Sequence, residues 1–126
     1  MLNITAIFLG GGIGAVLRYL TGIVISAYLK TNFPAATFFV NIIGCFILGF
    51  LFVFFIEKSQ INPALKLLLT TGFCGGLTTF STFSLEIFNM IQDTQYTTAI
   101  LYIGTSLIVG LFAVFLGGYL CKTFII

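Results

Sequence analysis

Apolar residues run along this chain in four long blocks, separated by three short polar clusters: KTNFP at 30–34, EKSQ at 57–60 and QDTQ at 92–95. Each block supplies the roughly 20 apolar residues that a helix needs to cross a bilayer. The pattern predicts spans over Ile4–Leu29 and Ala35–Ile56, a third running from INPALK (61–66) to Ile91, and a fourth over Thr97–Lys122. Asn62 is a good N-cap and Pro63 a good first helical residue. Pro34 suits the first turn of the second helix, where its missing N–H would be unpaired anyway. Runs of this length lack the alternation that a membrane barrel requires. The expected fold is therefore all-α, a single four-helix transmembrane domain over residues 1–126 with no linker. Loops this short make consecutive spans antiparallel neighbours.

Composition confirms the class. The chain is 60% hydrophobic and only 6% charged, where a soluble domain carries roughly 25% charged residues. No soluble surface can be built from that inventory. The first apolar segment, Leu2 to Leu29, has no leading charged patch and is too long for the core of a signal peptide. Cys45, Cys74 and Cys121 are odd in number and lie in apolar stretches, as small buried hydrophobes do, rather than as a disulfide or metal set. No His is present, and Glu57, Glu86 and Asp93 are the only acids. That leaves no Ser–His–Asp or Cys–His set and no carboxylate pair, so the chain is not expected to be an enzyme. No basic run exists to track nucleic acid. Lys58, Lys66 and Lys122 fall on one side of the membrane, with Lys30 and the deeper Arg18 toward the other. So weak an asymmetry lets the chain insert either way, which permits an antiparallel homodimer with its two-fold axis in the membrane plane.

Small and polar residues recur at helical spacing. Gly10, Gly14, Arg18, Gly22 and Ser26 share one face of the first span, and small-xxx-small faces let helix backbones approach closely. Arg18 stands apart, because a charge at this depth costs about 2.5–3.5 kcal/mol even on the lenient insertion scale. It either snorkels to an interface or sets a positive potential near an anion path. GGGIGA also fits a dinucleotide-binding pattern, but no strand precedes it. The second span carries Thr37, Asn41, Cys45 and Gly49. Asn41 has two readings, an interhelical hydrogen bond or a donor facing an ion path. Tyr102, Ser106 and Gly110 repeat the spacing in the fourth span. Glu86 is the sole acid within any span, which counts against a proton-coupled carrier needing a titratable group near the midplane.

The third span contains GFCGGLTTFSTFS at 72–84, poor helix material at membrane depth. Non-helical backbone is tolerated there only where protein buries it or where it lines a watery cavity. A break exposes carbonyls on one half and N–H groups on the other, which is ion-site chemistry. The alternative is a glycine-weakened but continuous helix with Ser and Thr bonded to i−4 carbonyls.

This stretch closely resembles the third-helix motif of the Fluc/CrcB family of small fluoride channels. GGIGAVLRY at Gly11–Tyr19 and FFVNIIGCFILG at Phe38–Gly49 are similar to motifs of the same family. The resemblance implies an antiparallel, dual-topology homodimer in a bacterial inner membrane, with the third helix broken near its middle. It implies a structural sodium ion on the two-fold axis, held by the backbone carbonyls of Gly75 and Thr78. It assigns Asn41, Phe80, Ser81, Thr82 and Phe83 to the fluoride pathway, with Tyr102 and Ser106 bordering it. Arg18 would shape the vestibule or pack the fold. The implied function is fluoride-selective, passive export down the electrochemical gradient, giving fluoride resistance. Its partners are fluoride, a second copy of the chain and the lipid bilayer. A small multidrug-type carrier shares four short spans and dual topology, but its usual first-span carboxylate is absent here. A non-transporting assembly subunit is the third class to weigh.

Overall fold

The computed structural model describes residues 1–58 and 60–125. Helix α1 spans Leu2–Tyr28, α2 Ala35–Glu57 and α6 Tyr96–Phe124, and each is long and apolar enough to cross a membrane. At 1.5 Å per residue these helices are about 35–45 Å long, against a hydrocarbon core of about 30 Å. Pro34 stands at the N-cap of α2, one residue before its first turn.

The fourth crossing segment is discontinuous. It begins with α3, Pro63–Leu67, where the Asn62 side chain accepts a 2.9 Å hydrogen bond from the Ala64 N–H. It widens into a π-helix over Leu68–Cys74 and closes with one turn, α4, over Gly75–Leu77. Thr78 and Thr79 are fully extended, with φ/ψ of −83°/158° and −151°/123°. Helix α5 then runs over Phe80–Gln92. The expected break is there, two residues wide. The π-helix preceding it was not anticipated, and such wide turns often mark functional positions.

Two backbone-to-backbone crossings organise the bundle. A Cβ placed on Gly14 would collide with the Phe73 carbonyl and lie 2.7 Å from the Leu77 N, and one on Gly76 would run into the Gly11 carbonyl. Helix α1 therefore packs against the first half of the broken span. Likewise a Cβ on Gly49 would collide with the Val114 carbonyl, and one on Gly117 with the Phe46 carbonyl, so α2 and α6 form the second pair. The glycine stripes of the first, second and fourth spans thus serve packing along much of their length. Gly22 meets nothing within 4 Å and faces a cavity instead. At the second loop, Lys66 Nζ donates to the Phe55 carbonyl (3.4 Å) near the C-terminal end of α2, where a cation is favoured by the helix dipole.

Helix α5 ends in a compact stop. Thr94 adopts φ 58°, the Gln95 N–H reaches the Met90 carbonyl (2.8 Å), and the Thr94 N–H reaches that of Ile91 (3.1 Å). This is a Schellman closure with a β-branched residue where Gly is usual.

Candidate functional site

Breaking a helix orphans carbonyls on one side and N–H groups on the other. Thr79 takes up much of the second set. Its Oγ1 accepts from the Thr82 N–H (3.2 Å), capping α5, and donates to Thr82 Oγ1 (3.0 Å), while Ser81 Oγ lies 3.4 Å away. Ser81, Thr82 and Thr79 thus form one hydroxyl cluster at the start of α5.

Asn41 closes on the same residue from α2. Its Oδ1 accepts from the Thr79 N–H (2.8 Å) and its Nδ2 donates to the Thr79 carbonyl (3.1 Å). The side-chain amide behaves as an adjacent strand would, pairing both backbone groups of one extended residue. Of the two readings of Asn41, the interhelical bond is realised, and one Nδ2 hydrogen remains beyond it.

Arg18 closes on the break from the other side. Its Nη1 donates to the Thr78 carbonyl at 3.3 Å. The guanidinium therefore does not snorkel away; it sits one helical step past Gly14, whose close approach brings α1 against the break. The Thr78 N–H and Oγ1 both turn back to the Cys74 carbonyl (3.0 and 2.9 Å). Among the described residues, no donor reaches the carbonyl of Gly75. Gly75 is exposed and shares a cavity with Thr78. Carbonyl oxygen is the ligand type that a small hard cation prefers. Gly75 offers its oxygen unpaired, while Thr78 shares one lone pair with Arg18. Two oxygens alone fall short of a full coordination shell.

Hollows lie on both sides of the break. One, of about 620 Å³, is lined by Asn41, Cys45, Thr78, Phe80, Phe83 and Ser106. The other, of about 640 Å³, is lined by Arg18, Ser26, Thr37, Thr82 and Glu86. Thr79 lines both. A third hollow of about 400 Å³ shares Ser26 and Glu86 with the second and reaches Lys30 in the first loop. Polar side chains thus continue from that loop to mid-depth.

Phe80 is 80% exposed and stands 6.0 Å from Phe83, ring centre to ring centre. Ser106 Oγ is buried and finds no hydrogen-bond partner among the described residues. A buried hydroxyl left unpaired beside a cavity calls for an explanation, and a polar occupant of that cavity would supply one. Tyr102 lies behind this wall, fully buried, with its ring 4.8 Å from that of Phe83 and its hydroxyl donating to Glu86 Oε2 (2.8 Å). Glu86 Oε1 accepts from Thr37 Oγ1 (2.6 Å). Sequence reasoning used Glu86 only to argue against a carrier. Its spacing from Asn41 and Tyr102 gave no sign that one carboxylate joins α2, α5 and α6.

Four apolar crossing segments, one opened at mid-depth between two hollows that each carry a few polar side chains on largely apolar walls, define a small multi-pass helical membrane protein. Residues 5–118 match the family described as CrcB-like protein, Camphor Resistance (CrcB). A relative from Flavobacterium psychrophilum, named Fluoride-specific ion channel FluC, is 47% identical over 97% of this chain and 98% of its own length. Relatives of the same name from Gloeothece citriformis (47% identical; 97% and 98% covered) and Aquifex aeolicus (42%; 89% and 90%) agree. The chain belongs to the CrcB-like family, and it is a multi-pass bacterial membrane protein.

Proposed function

We propose that the chain is a fluoride-selective channel of the bacterial inner membrane, passing fluoride passively down its electrochemical gradient and so lowering internal fluoride. The observation that carries this reading is the break itself: hydroxyls, an amide and two phenyl rings gather at mid-depth around an unpaired buried Ser106 hydroxyl. Fluoride is small and strongly hydrated, so a path must offer close donors in place of water and still release the ion. Asn41, Ser81, Thr82 and Ser106 supply donors. Phe80 and Phe83 supply ring edges, the positive part of the aromatic quadrupole. Tyr102 borders the path from behind Phe83. Arg18 holds the break and places its charge at the inner end of the second hollow. The relatives' names support fluoride as the ion, and ion channels make and break no covalent bond.

Two copies assemble antiparallel, with the exposed faces of Gly75 and Phe80 turned inward. The Gly75 and Thr78 carbonyls of both copies hold one sodium ion, which supplies fixed positive charge that ties the halves together. Expression in a bacterium lacking fluoride export tests the physiological part: growth in millimolar-range fluoride is expected, and continued sensitivity with the protein in the membrane overturns it. Labelling cysteines introduced at Lys30 and Lys58 from outside the cell tests topology. Both are expected to react in a fraction of the molecules, and reaction at one alone excludes dual insertion.

A further inference from the structure

We propose that Glu86 is a positioning residue for the pathway, holding the Phe83 ring in place through Tyr102. Helix α5 follows two extended residues and packs chiefly on α6, where its Phe83, Ile87 and Met90 join an apolar cluster with Ala99 and Tyr102. Glu86 bridges it to both neighbours: Oε1 takes the Thr37 hydroxyl of α2 (2.6 Å) and Oε2 the Tyr102 hydroxyl of α6 (2.8 Å). Thr37 is 7% exposed and Tyr102 fully buried, so the Tyr102 hydroxyl has no water to turn to. A carboxylate accepting on both oxygens satisfies two buried donors at once.

Tyr102 carries the constraint onward. With its hydroxyl fixed, its ring is wedged between Phe33, 5.3 Å away and edge-on at 80°, and Phe83, 4.8 Å away. Phe83 in turn faces Phe80 across 6.0 Å and lines the hollow that holds Asn41 and Ser106. Releasing the Tyr102 hydroxyl lets its ring rotate or withdraw, and the Phe83 edge loses its backing. An edge-on phenyl selects by distance, so loosening it admits a larger anion before it stops a small one. The effect is therefore on selectivity as well as rate.

The relay rests on the reading of Phe83 as a pathway ring, and the test separates the two. Fluoride and chloride efflux from liposomes is measured for Glu86→Leu, Glu86→Gln, Thr37→Val and Tyr102→Phe, alongside carbon-13 NMR of ring-labelled phenylalanine, the Phe83 signal being assigned with Phe83→Ile. Glu86→Leu is expected to lower fluoride flux roughly tenfold and narrow the fluoride-over-chloride ratio, as loss of two intramembrane hydrogen bonds would. Glu86→Gln keeps an acceptor for one hydroxyl and a donor for the other, and is expected to recover flux to within about threefold. Tyr102→Phe keeps the ring but frees its tip, and adding Glu86→Leu to it is expected to change little more. The Phe83 signal moves in Glu86→Leu and in Tyr102→Phe. An unmoved Phe83 signal or additive effects overturns the relay, as does unaltered selectivity where Phe83→Ile itself lowers fluoride flux. If Glu86→Leu fails to assemble, Glu86→Gln and Tyr102→Phe carry the same decision. A Phe83 signal that moves while Phe83→Ile leaves flux intact upholds the relay and removes the ring from the pathway.

Discussion

Replacing Asn41 by Leu removes the two hydrogen bonds that hold the extended residue at the centre of the broken span. The bonds are 2.8 and 3.1 Å long and both go to Thr79, which is only 8% exposed. Intramembrane side-chain hydrogen bonds average about 0.6 and reach about 1.7 kcal/mol, so the pair contributes roughly 1–3 kcal/mol. Leu also leaves the Thr79 N–H and C=O with no partner in place, and each orphaned buried group costs about 1–3 kcal/mol. Together these place the loss at about 3 kcal/mol or more, at least a hundredfold shift in the population of the intact break. Steric trapping or denaturant titration in bicelles reads the stability, and proteoliposome efflux reads the activity. Both are expected to fall, activity by at least about tenfold, since the break opens before the bundle dissociates. Asn41→Asp keeps the acceptor for the Thr79 N–H but faces a carboxylate toward the Thr79 carbonyl, so its flux should suffer more than its stability. A change under about 0.5 kcal/mol in Asn41→Leu, with normal flux, would show that the break does not depend on this clamp.

Other outcomes follow from the same geometry. Phe80→Ile and Phe83→Ile should depress fluoride efflux while size-exclusion chromatography still reports the assembled dimer; normal flux in both takes the rings out of the path. Gly14→Val pushes side-chain atoms into the Phe73 carbonyl and Leu77 N, costing at least about 1–3 kcal/mol. Gly12→Ala, with nothing within 4 Å in the chain, should instead be neutral or stabilising by up to about 1 kcal/mol in an unfolding titration. Thr94→Gly relieves the positive φ of 58° and should raise stability by about 1 kcal/mol. Exchanging sodium for a bulky organic cation during purification should dissociate the dimer or abolish flux, and an intact active dimer without sodium removes Gly75 and Thr78 from any cation site.

Much of the fold is written in local pattern. The span limits follow from uninterrupted apolar runs, and the Asn62–Pro63 start lies where capping chemistry puts it. The break at Thr78–Thr79 follows from clustered glycines ahead of β-branched residues. What stayed hidden depends on neighbours far away in sequence. Asn41 advertises a need for partners but not that both are the backbone of Thr79. Arg18 reaches Thr78, sixty residues along the chain, because Gly14 lets α1 approach the break. The π-helix over Leu68–Cys74 has no simple sequence signature, and a lone Glu86 near a loop does not reveal a bridge among three helices. Local propensity reads elements, whereas these contacts are products of how the elements cross.

Efflux of fluoride and chloride from liposomes reconstituted with the purified protein, followed by ion-specific electrodes in the same suspension, bears on all of this at once. Rapid fluoride loss with chloride retained is the predicted result, and it should collapse in Phe83→Ile. No fluoride efflux, or chloride leaving at a comparable rate, contradicts a fluoride-selective path at the broken span.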